Sequence, residues 1–162
     1  MVAEMGGTRF SIETNTEMMK VARDVPRLIE TLLYSEDMFA RARAAEILGE
    51  LQNGLAIEPL VEALADSHAS VRENAAEALR KFGDMAVDSL IDALGDRSET
   101  KRSYAAGILG RIGSEKAVSA LIAALQDENP DVRCYAGGSL SQIPAAVDSL
   151  IKALEGGNPD VQ

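Results

Sequence analysis

AVDSLIDALGD, residues Ala86 to Asp96, returns as AVDSLIKALEG at Ala146 to Gly156, with eight of eleven positions identical. The two copies start 146 − 86 = 60 residues apart. Between them lies AVSALIAALQD (Ala117–Asp127), and before them AIEPLVEALAD (Ala56–Asp66). A unit of about 30 residues repeated along a chain signals an array in which each unit packs on its neighbours rather than closing a core of its own.

Two further markers keep this period independently. A leucine in the first half of each unit falls at Leu28, Leu60, Leu90, Leu121 and Leu150, with steps of 32, 30, 31 and 29. An arginine in the second half falls at Arg41, Arg72, Arg102 and Arg133, with steps of 31, 30 and 31.

Within a unit the apolar residues repeat at helical spacing. In the second unit Ile57, Leu60, Val61 and Leu64 share one face of a first helix, and Val71, Ala75, Ala78, Leu79 and Phe82 share one face of a second. Helices of about 12 residues are marginal alone in water, so each stripe must bury against its partner helix and the next unit. The punctuation agrees. Asp37, Ser98 and Asn129 stand where helix N-caps are expected, and Asn129-Pro130 recurs as Asn158-Pro159. Gly83 and Gly113 fall just past second helices, where a positive φ ends a helix. Connections of two to four residues make successive helices antiparallel.

The ends of the array are less regular. Residues 1–14 mix Gly, Thr and polar residues without helical period and read as a flexible arm. Asn15 and Thr16 are candidate caps for a helix carrying Met18, Val21, Ala22, Val25, Leu28, Ile29 and Leu32, with Pro26 placing a kink or break near Val25. The units then span about 15–54, 55–84, 85–114 and 115–144, with a partial fifth at 145–162. That fifth unit stops at Val161-Gln162, where its second helix should begin, leaving an uncovered flank on its first helix. A fragment of a longer array, or self-association through this end, is the expectation.

Composition narrows the function. Of 162 residues 46% are hydrophobic but only 4% aromatic, an Ala- and Leu-rich balance that suits close helix–helix packing. A formal net charge of −10 disfavours nucleic acid as a partner. One cysteine cannot form an internal disulfide. The N-terminus shows no basic region followed by an apolar run, and no stretch approaches the length of a membrane span, so a cytoplasmic location is expected.

LIDALGD followed by KRSYAAGILGRIG resembles the HEAT-like repeat, in its short form named after phycobilisome lyases. The pattern is carried by Leu94, Asp96, Arg102, Ala105, Ala106, Leu109, Gly110 and Ile112. The second unit repeats it with Leu64, Asp66, Val71, Arg72, Ala75, Ala76 and Leu79, and the fourth with Leu125, Asp127, Val132, Arg133, Ala136 and Leu140. The first unit departs from it with Ala40 in the usual valine position, and the fourth with Gly137-Gly138. The resemblance implies an all-α, right-handed α-solenoid of four to five two-helix repeats. It also implies that the Asp and Arg of each unit form a ladder tying neighbouring units, and that the second helices line a concave binding surface.

On that surface the outward positions are Ala42, Arg43, Glu46 and Glu50, then Glu73, Asn74, Glu77 and Lys81, then Ser103, Tyr104, Gly107 and Arg111, then Cys134, Tyr135, Gly138 and Gln142. Tyr104 and Tyr135 hold the same place in adjacent units, with Gly107 and Gly138 leaving room beside them, and tyrosine is favoured at binding hot spots. Arg43, Glu46, Glu73, Asn74, Glu77, Lys81, Tyr104, Arg111, Tyr135 and Gln142 are therefore the candidate partner-binding residues. The glutamates of the first two units suit a basic segment of a protein or peptide. Cys134 and the single His68 have a whole unit between them and no orienting group, so no catalytic or metal site is expected. A non-enzymatic interaction scaffold without cofactor is the leading expectation. The resemblance offers two alternatives. One is a chromophore-binding role like that of phycobilin lyases. The other is an oxidoreductase like deoxyhypusine hydroxylase, disfavoured because the chain has no His-Glu dipeptide.

Overall fold

In the computed structural model residues 24–147 and Ile151 are described. They form an all-α solenoid of stacked helix pairs: α1 (Val25–Tyr34) with α2 (Met38–Leu51), α3 (Ile57–Ala63) with α4 (Ala69–Phe82), α5 (Val87–Ala93) with α6 (Glu99–Ile112), and α7 (Val118–Ala124) with α8 (Pro130–Gln142). The repeated leucine anchors each first helix in the core. Leu60, Leu90 and Leu121 are fully buried, and so are Leu48, Leu79 and Leu109 of the second helices. Burying such a side chain is worth roughly 1.5–3 kcal/mol, which is what holds helices this short in place.

Two features differ from the sequence expectation, and the break expected at Pro26 takes the form of a helix start. The first helices α3, α5 and α7 have seven residues rather than about twelve, each entered through a 3₁₀ turn at Gly54–Ala56, Gly83–Ala86 or Glu115–Ala117. The turns end on Ala56, Ala86 and Ala117, all completely buried, so the chain must wind tightly to bring these methyl groups inside. Pro26 sits where the break is expected, since Asp24 is not helical and α1 begins at Val25. It is the second residue of α1, where a missing amide proton leaves nothing unsatisfied, and the Asp24 carboxylate caps the Arg27 N–H at 3.3 Å. Lastly, α2 ends without glycine. Gln52 takes a left-handed φ of 48°, and its side-chain amide donates to the Lys81 carbonyl at 2.7 Å, tying the end of α2 to that of α4.

The expected caps are in place. Asp37, Ser98 and Asn129 accept from the first-turn amides of α2, α6 and α8, and Gly83 and Gly113 close α4 and α6 with φ of 56° and 74°. The expected arm at 1–14, the expected caps Asn15 and Thr16, the expected helical residues before Asp24, and the fifth unit apart from residues 145–147 and Ile151 lie outside the described residues.

How closely the second helices approach depends on one position, eight residues after the repeat arginine. In α2 it is Gly49, which packs on Ala78 of α4: a Cβ added there would lie 2.6 Å from Ala78 Cβ and 2.7 Å from its Cα. In α6 it is Gly110, where an added Cβ would lie 2.6 Å from Ser139 Cα of α8. Ser139 in turn donates its hydroxyl to the Ala106 carbonyl at 2.8 Å, a buried bond between helices. In α4 the same position is Arg80, and the residue matching Ala78 and Ser139 in α6 is the bulky Ile108. Accordingly α2–α4 and α6–α8 pack along their length, whereas α4 and α6 meet only briefly. The array is two tight double units with a wide junction between them.

Gly110→Ala forces backbone apart in a close-packed contact and is expected to destabilise by about 1–3 kcal/mol. Arg80→Ala, at the matching position of the wide junction, leaves the thermal midpoint unchanged. Melting the two variants side by side checks this, and equal loss in both would contradict it.

Candidate functional site

The charges at the unit boundaries follow the same alternation. Arg41 holds Asp66 of the next unit through two bonds, Nε to Oδ2 at 2.7 Å and Nη2 to Oδ1 at 3.0 Å. Arg102 holds Asp127 in the same way at 2.8 and 3.0 Å. Burial would raise the Asp66 carboxyl, but the Arg41 guanidinium and the His68 backbone N–H outweigh it and keep it below the usual carboxylate range. Asp127 is lowered chiefly by Arg102. The arginine six residues after each of these aspartates does not bind its carboxylate, contrary to the simple spacing. Arg72 and Arg133 instead donate to the backbone carbonyls of Asp66 and Asp127, pinning the loop of their own unit.

At the wide junction the ladder is interrupted. Asp96 is not reached by Arg72. It accepts from Lys101 of its own unit at 2.9 Å, and the same ammonium bonds both oxygens of Glu62 at 3.0 Å. Lys101 is only 5% exposed and stands where the matching residues are the buried Val71 and Val132. Burial alone would depress its ammonium, but Asp96 and Glu62 raise it above the ordinary lysine value. Arg72, left without its aspartate, has a buried Nε with no hydrogen-bond partner among the described residues and stacks over the Tyr104 ring, 5.8 Å from its centroid. Units 2 and 3 are thus joined on the first-helix side, by Lys101–Glu62 and Ser89–Glu58, while their second helices diverge.

Where they diverge, a groove of about 760 Å³ opens between α4, α6 and α8. Glu73 comes from α4, Tyr104 and Arg111 from α6, and Asp131, Tyr135 and Gln142 from α8. Tyr135 is 54% exposed, and one edge of its ring rests on the place a Gly107 side chain would take, 3.4 Å from that position. Gly138 beside it faces open space. Tyr104 is half-buried against the core and the Arg72 guanidinium.

Of the candidates read from sequence, Glu73, Tyr104, Arg111, Tyr135 and Gln142 meet in this groove. Arg43, Glu46, Asn74, Glu77 and Lys81 do not line it. Arg43 pairs with Glu46 at 2.6 Å and Glu77 with Arg80 at 2.6 Å, so two of the expected free glutamates are already neutralised. Two outward positions are in fact buried: Ala42 at 8%, and Ser103 at 9%, whose hydroxyl donates to the Thr100 carbonyl. Asp131 was missed by the sequence reading, as were Thr100 and Ile108. A carboxylate in the first turn of a helix reads as a dipole-compensating residue, and only the fold sets it in one groove with Glu73 and Arg111. Cys134 is exposed at the groove, and His68 lies at the Asp66 boundary, with its Nδ1 3.1 Å from Arg41. No group of three or more His, Cys, Asp or Glu side chains that could hold a metal ion occurs among the described residues. Among the same residues, no helix is long and apolar enough to cross a membrane.

The chain belongs to the HEAT-repeat family, whose model matches residues 25–100 and again 87–162. A HEAT repeat-containing taxis protein of Halobacterium salinarum is 45% identical over 41% of this chain and 16% of its own length. The human deoxyhypusine hydroxylase structure is 31% identical, covers 74% of this chain and 43% of that one, and superposes with a TM-score of 0.61. A designed armadillo repeat protein shares the fold at 22% identity, with 80% of this chain and 70% of that one covered and a TM-score of 0.50. The chain thus spans 16% of the taxis protein and 43% of the hydroxylase, and what those whole proteins do is not carried across by the match.

Two outcomes follow from the boundary charges. Asp66, Asp96 and Asp127 are held below the ordinary aspartate value when folded, so the stability they contribute is complete above about pH 4 and is lost as pH falls through their folded values. Asp127→Ala, which removes two bonds from a buried guanidinium, lowers stability by about 1.5–3 kcal/mol at neutral pH and flattens this acid dependence. Lys101→Val leaves the midpoint unchanged or raised, because an apolar residue of fitting size replaces a buried ammonium whose partners Glu62 and Asp96 stay open to water. Thermal and urea melts between pH 3 and 7 read out both.

Proposed function

We propose that the protein is a non-enzymatic binding module, holding a segment of a partner protein in the groove between α4, α6 and α8. The observation that carries this reading is Tyr135, a large ring more than half exposed in a groove the fold keeps open. A tyrosine offers wide contact area with little side-chain entropy to lose, and rings of this kind dominate the energetics of interfaces. The depth of the groove supports the same reading. Its floor includes the buried Ile108 and Ala76, so a bound side chain can be taken out of water between polar walls.

The two tyrosines have different roles here. Tyr104 packs on the core and carries the Arg72 guanidinium, so it shapes the groove wall, and its removal disturbs the fold as well. Tyr135 is the cleaner probe. Affinity capture from the native lysate should recover a partner with the wild-type chain and lose it with Tyr135→Ala. The purified pair should show a loss of about thirtyfold in affinity, equivalent to about 2 kcal/mol. The melting midpoint of Tyr135→Ala should stay at the wild-type value. Undiminished capture by this variant would overturn the reading.

A further inference from the structure

The unpaired charges of the groove are segregated. Glu73 and Asp131 lie toward the N-terminal ends of α4 and α8, and among the described residues neither carboxylate takes part in an ion pair or a side-chain hydrogen bond. Arg111 and Gln142 lie in the last turns of α6 and α8, at the opposite end, and Arg111 likewise has no ion pair among the described residues. The positive field at that end is felt by Glu77, whose carboxyl is lowered first by its bond to Arg80 and further by Lys81 and Arg111. Between the two ends stand the Tyr135 ring and the open space at Gly138.

At the acidic end, Asp131 and Tyr135 are four residues apart on α8 and so sit on the same helix face one turn from each other. A carboxylate beside an exposed ring is a pairing suited to a cation, which takes the charge from one and the quadrupole from the other. The fold already uses a ring in this way, in the Arg72 guanidinium over Tyr104. Glu73 across the groove adds a second carboxylate. At the other end Arg111 can form paired bonds to a carboxylate, with the Gln142 amide as a second donor. Gln142 holds the Gly138 carbonyl only at 3.4 Å, a bond it can exchange at little loss.

Resting on the peptide-binding reading above, we infer that the groove selects a peptide carrying opposite charges a fixed distance apart. A lysine or arginine lies between Glu73, Asp131 and Tyr135, and an aspartate, glutamate or terminal carboxylate lies at Arg111 and Gln142. The spacing follows from helix geometry. Asp131 and Gln142 are eleven residues apart on one helix, about 16 Å at 1.5 Å per residue. An extended peptide covers about 3.3 Å per residue, so the two charges are separated by about five positions. Opposite charges at the two ends also fix the direction in which the peptide lies.

The test is selection of a phage-displayed random nonapeptide library on the immobilised wild-type chain, with Tyr135→Ala, Glu73→Gln/Asp131→Asn and Arg111→Gln as comparison baits. The expected result is enrichment of a basic residue four to six positions from an acidic one. Synthetic copies of those peptides should bind Glu73→Gln/Asp131→Asn at least tenfold more weakly, and Arg111→Gln should lose the preference for the acidic residue alone. Peptides that require Tyr135 but show no such charge pair, or that bind the charge variants equally well, would overturn this inference and leave the binding module standing. If no selected peptide depends on Tyr135, the binding-module reading falls and this inference falls with it.

Discussion

The closeness with which neighbouring second helices can approach governs this molecule. None of these helices is long enough to be stable alone, and the first helices α3, α5 and α7 have only seven residues each, so stability is shared through contacts between units. Where the facing residues are Gly49 with Ala78, or Gly110 with Ser139, backbones come together until no Cβ could fit between them. Where they are Arg80 with Ile108, such an approach is impossible. One position in the repeat therefore decides whether a boundary is a seam or a groove.

The electrostatics follow the packing. At the tight boundaries an arginine reaches forward to the next unit's aspartate while also holding its own loop, so one side chain ties three segments. At the wide boundary Asp96 is taken up by the buried Lys101 instead, and Arg72 turns to the Tyr104 ring. The junction is not loose, since Lys101 bonds Glu62 and Ser89 bonds Glu58 across the first-helix side. It is fastened along one edge and open along the other. That geometry leaves Tyr135, Glu73, Asp131 and Arg111 facing a shared space and keeps the floor of that space apolar.

Much of the fold could be read in the sequence, because it rests on local signals. The repeated leucines and arginines set the period, the caps at Asp37, Ser98 and Asn129 set helix starts, and Gly83 and Gly113 set helix ends. The place of Tyr104 and Tyr135 on the groove wall was legible for the same reason, since equal positions in equal units line up. What was hidden depends on which neighbour a residue meets. Arg80 looks like an ordinary surface residue until the glycines at matching positions are set beside it. Lys101 replaces a valine in a core stripe, which the sequence shows, but its two carboxylate partners come from different units. Asp131 passes for a helix-end charge until α8 is placed against α6. The short first helices were over-read because alanines entering a 3₁₀ turn are as apolar as those in an α-helix.

The alternation of tight and wide boundaries is open to a direct measurement. With Cys134 replaced by serine, spin labels are placed in pairs at the equivalent positions Glu50 and Lys81, Lys81 and Arg111, and Arg111 and Gln142, and the label-to-label distances are determined in solution. The account predicts that the Lys81–Arg111 distance is clearly the longest and that the other two are alike. Three equal spacings would show a uniform solenoid and contradict it.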